Sequence, residues 1–262
     1  MLTRLQSVAI IVCLVYVPQL ASAHSRRLAL NKRNLTSTNI DSLRRLSISM
    51  QPLETRIALY DGIVLSCQVT GRPNPTIHWL KNGERVQQGT SLDVQGDAAF
   101  ENAAGNDQSR LQLAIVKSKL YIDCITEETE YTCVGETPLA RVNQSQRVFI
   151  DPLPGSSRHE CSQPNDEKPA RIYMTTETQM DYDGDTAQLY CRAEGKPTPT
   201  ITWYSSNNQS ITIVGGYRIA NNGDLIILNP TWKNHLDRFT CKADNGVGSD
   251  TAQSFFYPTR RD

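Results

Sequence analysis

Beyond its first 23 residues the chain has no run of 18 apolar residues, so no later stretch is long enough to cross a bilayer as a helix. Histidine is scarce: His24, His78, His159 and His235 stand far apart, none at ligand spacing from another. This gives no metal site, no cofactor site and no catalytic set to assign, and the sequence predicts a protein that is not an enzyme. Net charge is also missing, with 27 Lys and Arg against 27 Asp and Glu. The balance is uneven along the chain. Arg26, Arg27, Lys32, Arg33, Arg44 and Arg45 face only Asp41 within residues 24–50, and residues 51–262 are acidic on balance. A short basic segment ahead of an acidic body leaves no footprint for nucleic acid.

What is present begins with a targeting pattern. Arg4, the apolar residues 8–17 and the small residues Ala21-Ser22-Ala23 read as a signal peptide over residues 1–23, which predicts a secreted, extracellular protein. Cys13 leaves with that segment. The six cysteines that remain form an even set, which suits an oxidising compartment. Residues 24–46 lack aromatics and sustained periodicity and read as a disordered basic leader. Its dibasic pairs offer processing, or attachment to sulfated sugars, as the alternative.

One phrase occurs twice, Gly71-Arg-Pro-Asn-Pro-Thr-Ile-His-Trp79 and Gly195-Lys-Pro-Thr-Pro-Thr-Ile-Thr-Trp203. Cys67 precedes Trp79, and Cys191 precedes Trp203, by the same interval. Cys133 and Cys241 come after the tryptophans. The spacing resembles that of immunoglobulin domains, in which a cysteine on strand B bonds one on strand F across two packed sheets and a strand C tryptophan covers the bond. The expectation is an all-β chain of two tandem immunoglobulin-like β-sandwiches of the intermediate-set type, over residues 47–152 and 168–258, with a linker at 153–167. The resemblance implies disulfides Cys67 to Cys133 and Cys191 to Cys241. Cys124 falls in the corner before strand F, and Cys161 falls just past strand G. In such a sandwich both sites lie at one pole, which makes a third bond sensible, with two unpaired thiols as the alternative.

In domain 1, residues 53–59 read as strand A, 63–69 as strand B and Ile77 with Trp79 as strand C. Asn82-Gly83 supplies a tight hairpin, and Leu111, Leu113 and Ile115 alternate as strand E. Residues 87–108 read as a long connection. Tyr131, two positions before Cys133, occupies the place of a tyrosine corner. In domain 2 the strands fall at 171–176, 188–193, around Trp203, at 211–214, 225–228, around Cys241 and at 251–257.

Cys191, Trp203, Asn222-Gly223, Cys241 and the turn at 243–248 are similar to intermediate-set immunoglobulin domains. Together with Tyr131-Thr-Cys-Val-Gly135 and Phe255-Phe-Tyr-Pro258, they resemble an insect family of secreted, ecdysone-inducible insulin-binding proteins with two such domains. The resemblance implies a carrier that sequesters insulin-like peptides and antagonises insulin and growth-factor signalling. The competing reading is a secreted adhesion or axon-guidance factor that binds a cell-surface receptor, and homodimerisation stays open. Phe239 replaces the corner tyrosine, and His235 stands where intermediate-set domains commonly have aspartate.

Asn34, Asn143 and Asn208 head glycosylation sequons. Three runs of consecutive large apolar residues, 148–150, 172–174 and 255–257, cannot each face a single core, because side chains on a strand alternate between faces. Phe149, Ile172, Tyr173, Met174, Phe255 and Tyr257 are therefore candidates for a partner-binding patch, or else for a contact between the two domains.

Overall fold

Two sandwiches are built on one shared sheet. The computed structural model describes residues 46–52, 55–89, 111–151, 160–161, 166–212 and 215–260. The predicted signal peptide, the basic leader with Asn34, most of the 87–108 connection and most of the linker lie outside them. The strands are β1 (Ser47–Gln51), β2 (Thr55–Ile57), β3 (Ile63–Gly71), β4 (Thr76–Lys81), β5 (Glu84–Arg85), β6 (Leu113–Ile122), β7 (Thr129–Thr137) and β8 (Ala140–Ile150) in domain 1. Domain 2 contributes β9 (Lys168–Tyr182), β10 (Ala187–Leu189), β11 (Cys191–Lys196), β12 (Thr200–Tyr204), β13 (Tyr217–Ile219), β14 (Leu225–Ile227), β15 (Asp237–Asp244) and β16 (Ser249–Thr259). A single helical turn, α1 (Trp232–His235), precedes β15.

The largest sheet runs β1-β3-β6-β9-β16-β15-β12, with β11 also paired to β9. Domain 1 ends this sheet at β6 and domain 2 continues it from β9. Leu113 to Ser118 pair antiparallel with Met180 to Met174, with a bulge between Ile115 and Val116. One face is covered by two smaller sheets, β2-β8-β7-β4-β5 over domain 1 and β10-β14-β13 over domain 2. Among the described residues no further layer covers its other face. Residues Arg45–Asp262 accordingly form one compact unit.

Local sequence explains the elements. Asn82 and Gly83 both take positive φ, 49° and 88°, as the two central residues of a β4–β5 hairpin must. β3 alternates Leu65, Cys67 and Val69 inward against Ser66, Gln68 and Thr70 outward. The first strand of domain 1 is divided. β1 pairs with β3 while β2 crosses to pair in parallel with β8, and Pro52, which has no amide to donate, stands at the switch. Of the predicted strand at 211–214, residues 211 and 212 are not in a strand, and 213 and 214 lie outside the described residues. Tyr204 makes only an isolated bridge to Ser210, and β13 pairs with β14 instead.

Each core centres on its tryptophan. Trp79 and Trp203 are fully buried, and each indole finds an acceptor: Trp79 Nε1 donates to Ser118 Oγ at 2.9 Å and Trp203 Nε1 to the Gly223 carbonyl at 2.8 Å. Gly223 holds φ at +95°, and a Cβ there would meet Ile201 at 2.6 Å, so the turn that offers this carbonyl requires glycine. Disulfides join Cys67 to Cys133, Cys191 to Cys241 and Cys124 to Cys161. In domain 2 the corner is closed without a tyrosine. Phe239 is buried edge-on to Tyr217 at 6.0 Å, and His235 Nδ1 accepts the Thr231 amide at 3.0 Å.

The contact between the domains is polar as well as apolar. Tyr173, Met174 and Tyr190 of domain 2 belong to the hydrophobic core of domain 1. Asn74 Nδ2 donates to Gln179 Oε1 at 2.9 Å, and Gln179 Nε2 donates to Asp181, which also accepts the Gln112 amide at 2.9 Å. Behind them Arg192 and Asp224, both buried, form an ion pair at 2.8 Å. Asp224 also accepts bonds from Gln188, Asn222 and the Cys191 amide. At the other end of β6, Asp123 accepts from Lys168 and Arg171. Burial pushes the Asp123 carboxyl up, but these two cations outweigh it and hold its pKa below the usual range. Tyr121 donates to the Ile172 carbonyl at 3.2 Å. Its hydroxyl is pushed up to about 12 by burial, with Asp250 and Glu194 adding to the rise, so it remains a donor.

Two stability measurements test this packing. Trp79→Ala and Trp203→Ala are each expected to cost about 3–5 kcal/mol in denaturant titrations, the usual loss for a large buried aromatic. Asp224→Ala removes a buried carboxylate that pairs with Arg192 and accepts from Gln188, Asn222 and the Cys191 amide, and is expected to cost about 3–5 kcal/mol. A variant with an unchanged midpoint would contradict the packing described at that residue.

Candidate functional site

The open face of the shared sheet spans both domains across seven strands in one register path. Its side chains are set by strand alternation. In β6, Ala114, Val116, Ser118 and Leu120 are buried toward the core, so Leu113, Ile115, Lys117 and Lys119 point to the open side. In β16, Ser254 and Phe256 are buried, while Phe255 is 38% exposed and Tyr257 is half-buried on the outer side. Register aligns these positions across the sheet. One row runs Ser47, Thr70, Ile115, Thr178, Phe255 and Arg238, and the next holds Leu113, Met180 and Tyr257.

The centre of this face is therefore apolar and its margins are polar. Trp232, 38% exposed, meets the Tyr257 ring edge-on at 5.0 Å, and Phe255 lies 6.4 Å from Tyr257. The Trp232 amide donates to Asp183 at 2.8 Å, which ties the α1 turn to the end of β9. Trp232, Phe255 and Tyr257 with Leu113, Ile115 and Met180 thus sit across β6, β9, β16 and α1, the three strands being held from both sides by ladder hydrogen bonds and α1 by its bond to Asp183.

The candidate residues from the sequence divide between locations. Phe255 and Tyr257 stand on the open face. Ile172, Tyr173 and Met174 do not form an open patch: they are 4%, 3% and 5% exposed, because β9 is an interior strand packed by both domains. What remains of their surface floors a cleft of about 230 Å³, rimmed by Lys117, Glu177 and Asp250, where β9 diverges from β16. Phe149 lies elsewhere, on the outer side of the second sheet of domain 1. There Arg56 and Arg147 stack over its ring at 5.6 and 5.7 Å. Asn143 and Asn208 are exposed.

Leu113, Ile115, Met180 and Trp232 were not among the candidates. The signal for the first two was in the sequence: residues 113–116 are apolar in both alternation sets, more than a strand with a single buried face needs. Trp232 is the one tryptophan of three outside the repeated phrase, and so was free for a role outside the cores.

Two sheets closed over a cysteine–tryptophan–cysteine core, repeated in tandem, define an immunoglobulin-fold protein. The family model for the immunoglobulin domain matches residues 47–136 and 169–245, and the chain belongs to that family. It is 32% identical to neural/ectodermal development factor IMP-L2 of Drosophila melanogaster, over 78% of this chain and 73% of that protein. It is 29% identical to the Zwei Ig domain protein zig-2 of Caenorhabditis elegans, over 84% of this chain and 88% of that one. The crystal structure of IMP-L2 superimposes with a TM-score of 0.64 at 26% identity, covering 83% of this chain and 97% of the other.

The third disulfide bears on how firmly this platform is held, since Cys124 follows β6 and Cys161 precedes β9. Selective replacement of both by serine is expected to lower the melting temperature by several degrees, the loop-closure effect being worth about 4 kcal/mol at most. Peptide mapping of the unreduced protein checks the pairing, and free thiol at either position would rule it out.

Proposed function

We propose that the protein is secreted and sequesters insulin-like peptides, limiting their access to the receptor. The observation that carries this reading is the apolar centre of the open sheet face, Leu113, Ile115, Met180, Phe255 and Tyr257 with Trp232. A surface of that kind fits a partner that is itself apolar, and the receptor-binding face of an insulin-like peptide is such a surface. Aromatic side chains on a rigid support serve as anchors because little conformational freedom is lost when they are covered. Two further features support the reading: the similarity to IMP-L2, and three disulfides of the kind that persist outside the cell. Among the described residues no helix is long and apolar enough to cross a membrane.

A second reading has its own support. The chain is as extensively similar to a nematode two-immunoglobulin-domain protein, over most of both chains, and a secreted adhesion or guidance factor that docks on a cell-surface receptor with the same face is compatible with that similarity.

Surface plasmon resonance against a panel of insulin-like peptides separates the two. Wild type is expected to bind at least one peptide, and Phe255→Ser with Tyr257→Ser to bind it at least about 30-fold more weakly at an unchanged melting temperature, since interface anchors are each worth about 2 kcal/mol or more. Undiminished binding by the folded double variant would remove β16 from the site. Failure of wild type to bind any peptide would favour the second reading.

A further inference from the structure

We infer that N-linked glycans at Asn143 and Asn208 shield the surfaces away from the open sheet face and, among the described residues, leave that face as the broad docking surface for an insulin-like peptide. The inference rests on the secretion proposed above, because the modification needs the secretory lumen. There the asparagine amide nitrogen gives up a proton and bonds C1 of the first sugar of a lipid-linked diphosphate oligosaccharide, whose diphosphate leaves.

The two asparagines head Asn-Gln-Ser sequences, and both are exposed, as are Ser145 and Ser210. Asn143 lies mid-strand in β8, opposite Val134 of β7. It sits on the alternation set of Arg141, Ser145 and Arg147, which points away from the core of domain 1. A glycan there rises from the middle of the second sheet of domain 1, on the side opposite the open face. Asn208 is at the tip of the turn after β12, with φ of 57°, and its amide donates back to the Ser205 carbonyl. That turn projects from the far edge of the shared sheet.

The use of the side-chain amides agrees with this division. Asn74, Asn82, Asn222 and Asn245 lie outside any acceptor sequence, and each spends its side chain on a turn or on the contact between domains. The side-chain amides of Asn143 and Asn208 make no hydrogen bond to other described residues, so a sugar on them displaces no contact among those residues. On the open face, the outward positions of β1, β3, β6, β9 and β16 are filled by Ser, Thr, Gln, Lys, Glu and apolar or aromatic residues. None of them is asparagine. A large hydrated glycan excludes protein partners from the surface beneath it, so an unmodified face that also carries exposed aromatics is where a partner fits.

The test uses the full chain secreted from insect cells. Enzymatic deglycosylation followed by mass spectrometry is expected to show conversion to aspartate at positions 143 and 208. A secreted, disulfide-bonded protein unconverted at position 143 would overturn the inference, whereas a chain retained inside the cell would instead overturn the secretion it rests on. Two variants then address the faces. Asn143→Gln is expected to bind peptide as wild type does. Gln68→Asn places an Asn-Val-Thr sequence on the outward side of β3, and its glycosylated form is expected to bind about tenfold more weakly or worse, with recovery after the glycan is removed. Ser249→Asn, at the start of β16, repeats the test at a second point of the open face should the first variant fold poorly. Normal binding by a folded glycoform carrying a sugar on the open face would remove the ligand from that face while leaving the two native glycans in place. Loss of binding on removing the Asn143 sugar would overturn its assignment as a shield.

Discussion

The ladder between β6 and β9 is the constraint from which the rest of the architecture derives. Six residues of domain 1, Leu113 to Ser118, take their backbone partners from domain 2. Buried amides and carbonyls have to be paired, so this ladder fixes the two domains in one register rather than letting them swing on a linker. Because β9 also pairs with β16 and β11, it has no free edge, and its side chains are enclosed on the inner face. Tyr173 and Met174 therefore complete the core of the neighbouring domain, and Phe255 and Ile115 come to lie in one row.

The polar contacts behind that ladder have a geometric origin. Strand B of domain 2 turns Gln188 and Arg192 away from its own core, where an isolated immunoglobulin domain meets water. Here both are almost fully buried, next to Tyr190, which packs into the core of domain 1. Burying a guanidinium requires a carboxylate and further hydrogen bonds, and Asp224 provides the first while being itself held by Gln188, Asn222 and the Cys191 amide. The contact is thus demanding in its geometry, which suits a joint whose two sides share a sheet.

Much of the fold was legible in the sequence because it depends on short-range signals. The repeated proline–tryptophan phrase, the cysteine intervals, Asn82-Gly83 and the alternation around Cys67 each act within one hairpin or one core. The open face was legible only in part. Phe255 and Tyr257 could be placed by counting along one strand, since Ser254 and Phe256 fix its parity. Leu113 and Ile115 could not, because the alternate positions Ala114 and Val116 are also apolar and either set could have faced the core. What decides between them is β9, some sixty residues further on, and no local pattern announces that pairing. Ile172, Tyr173 and Met174 show the same limit: three consecutive apolar residues mark a strand buried on both faces as well as they mark an exposed patch.

Interior placement of β6 also bears on how the chain can be divided. Cut away from domain 2, the first sandwich would present β6 as a bare sheet edge, with unpaired amides along its length and apolar side chains on both faces. Natural proteins protect such edges with charge, proline or a bulge, and Leu113 to Val116 carry neither charge nor proline. The immunoglobulin domain is often treated as a self-sufficient module, but here the first copy relies on the second to cap a strand that would otherwise recruit its own kind.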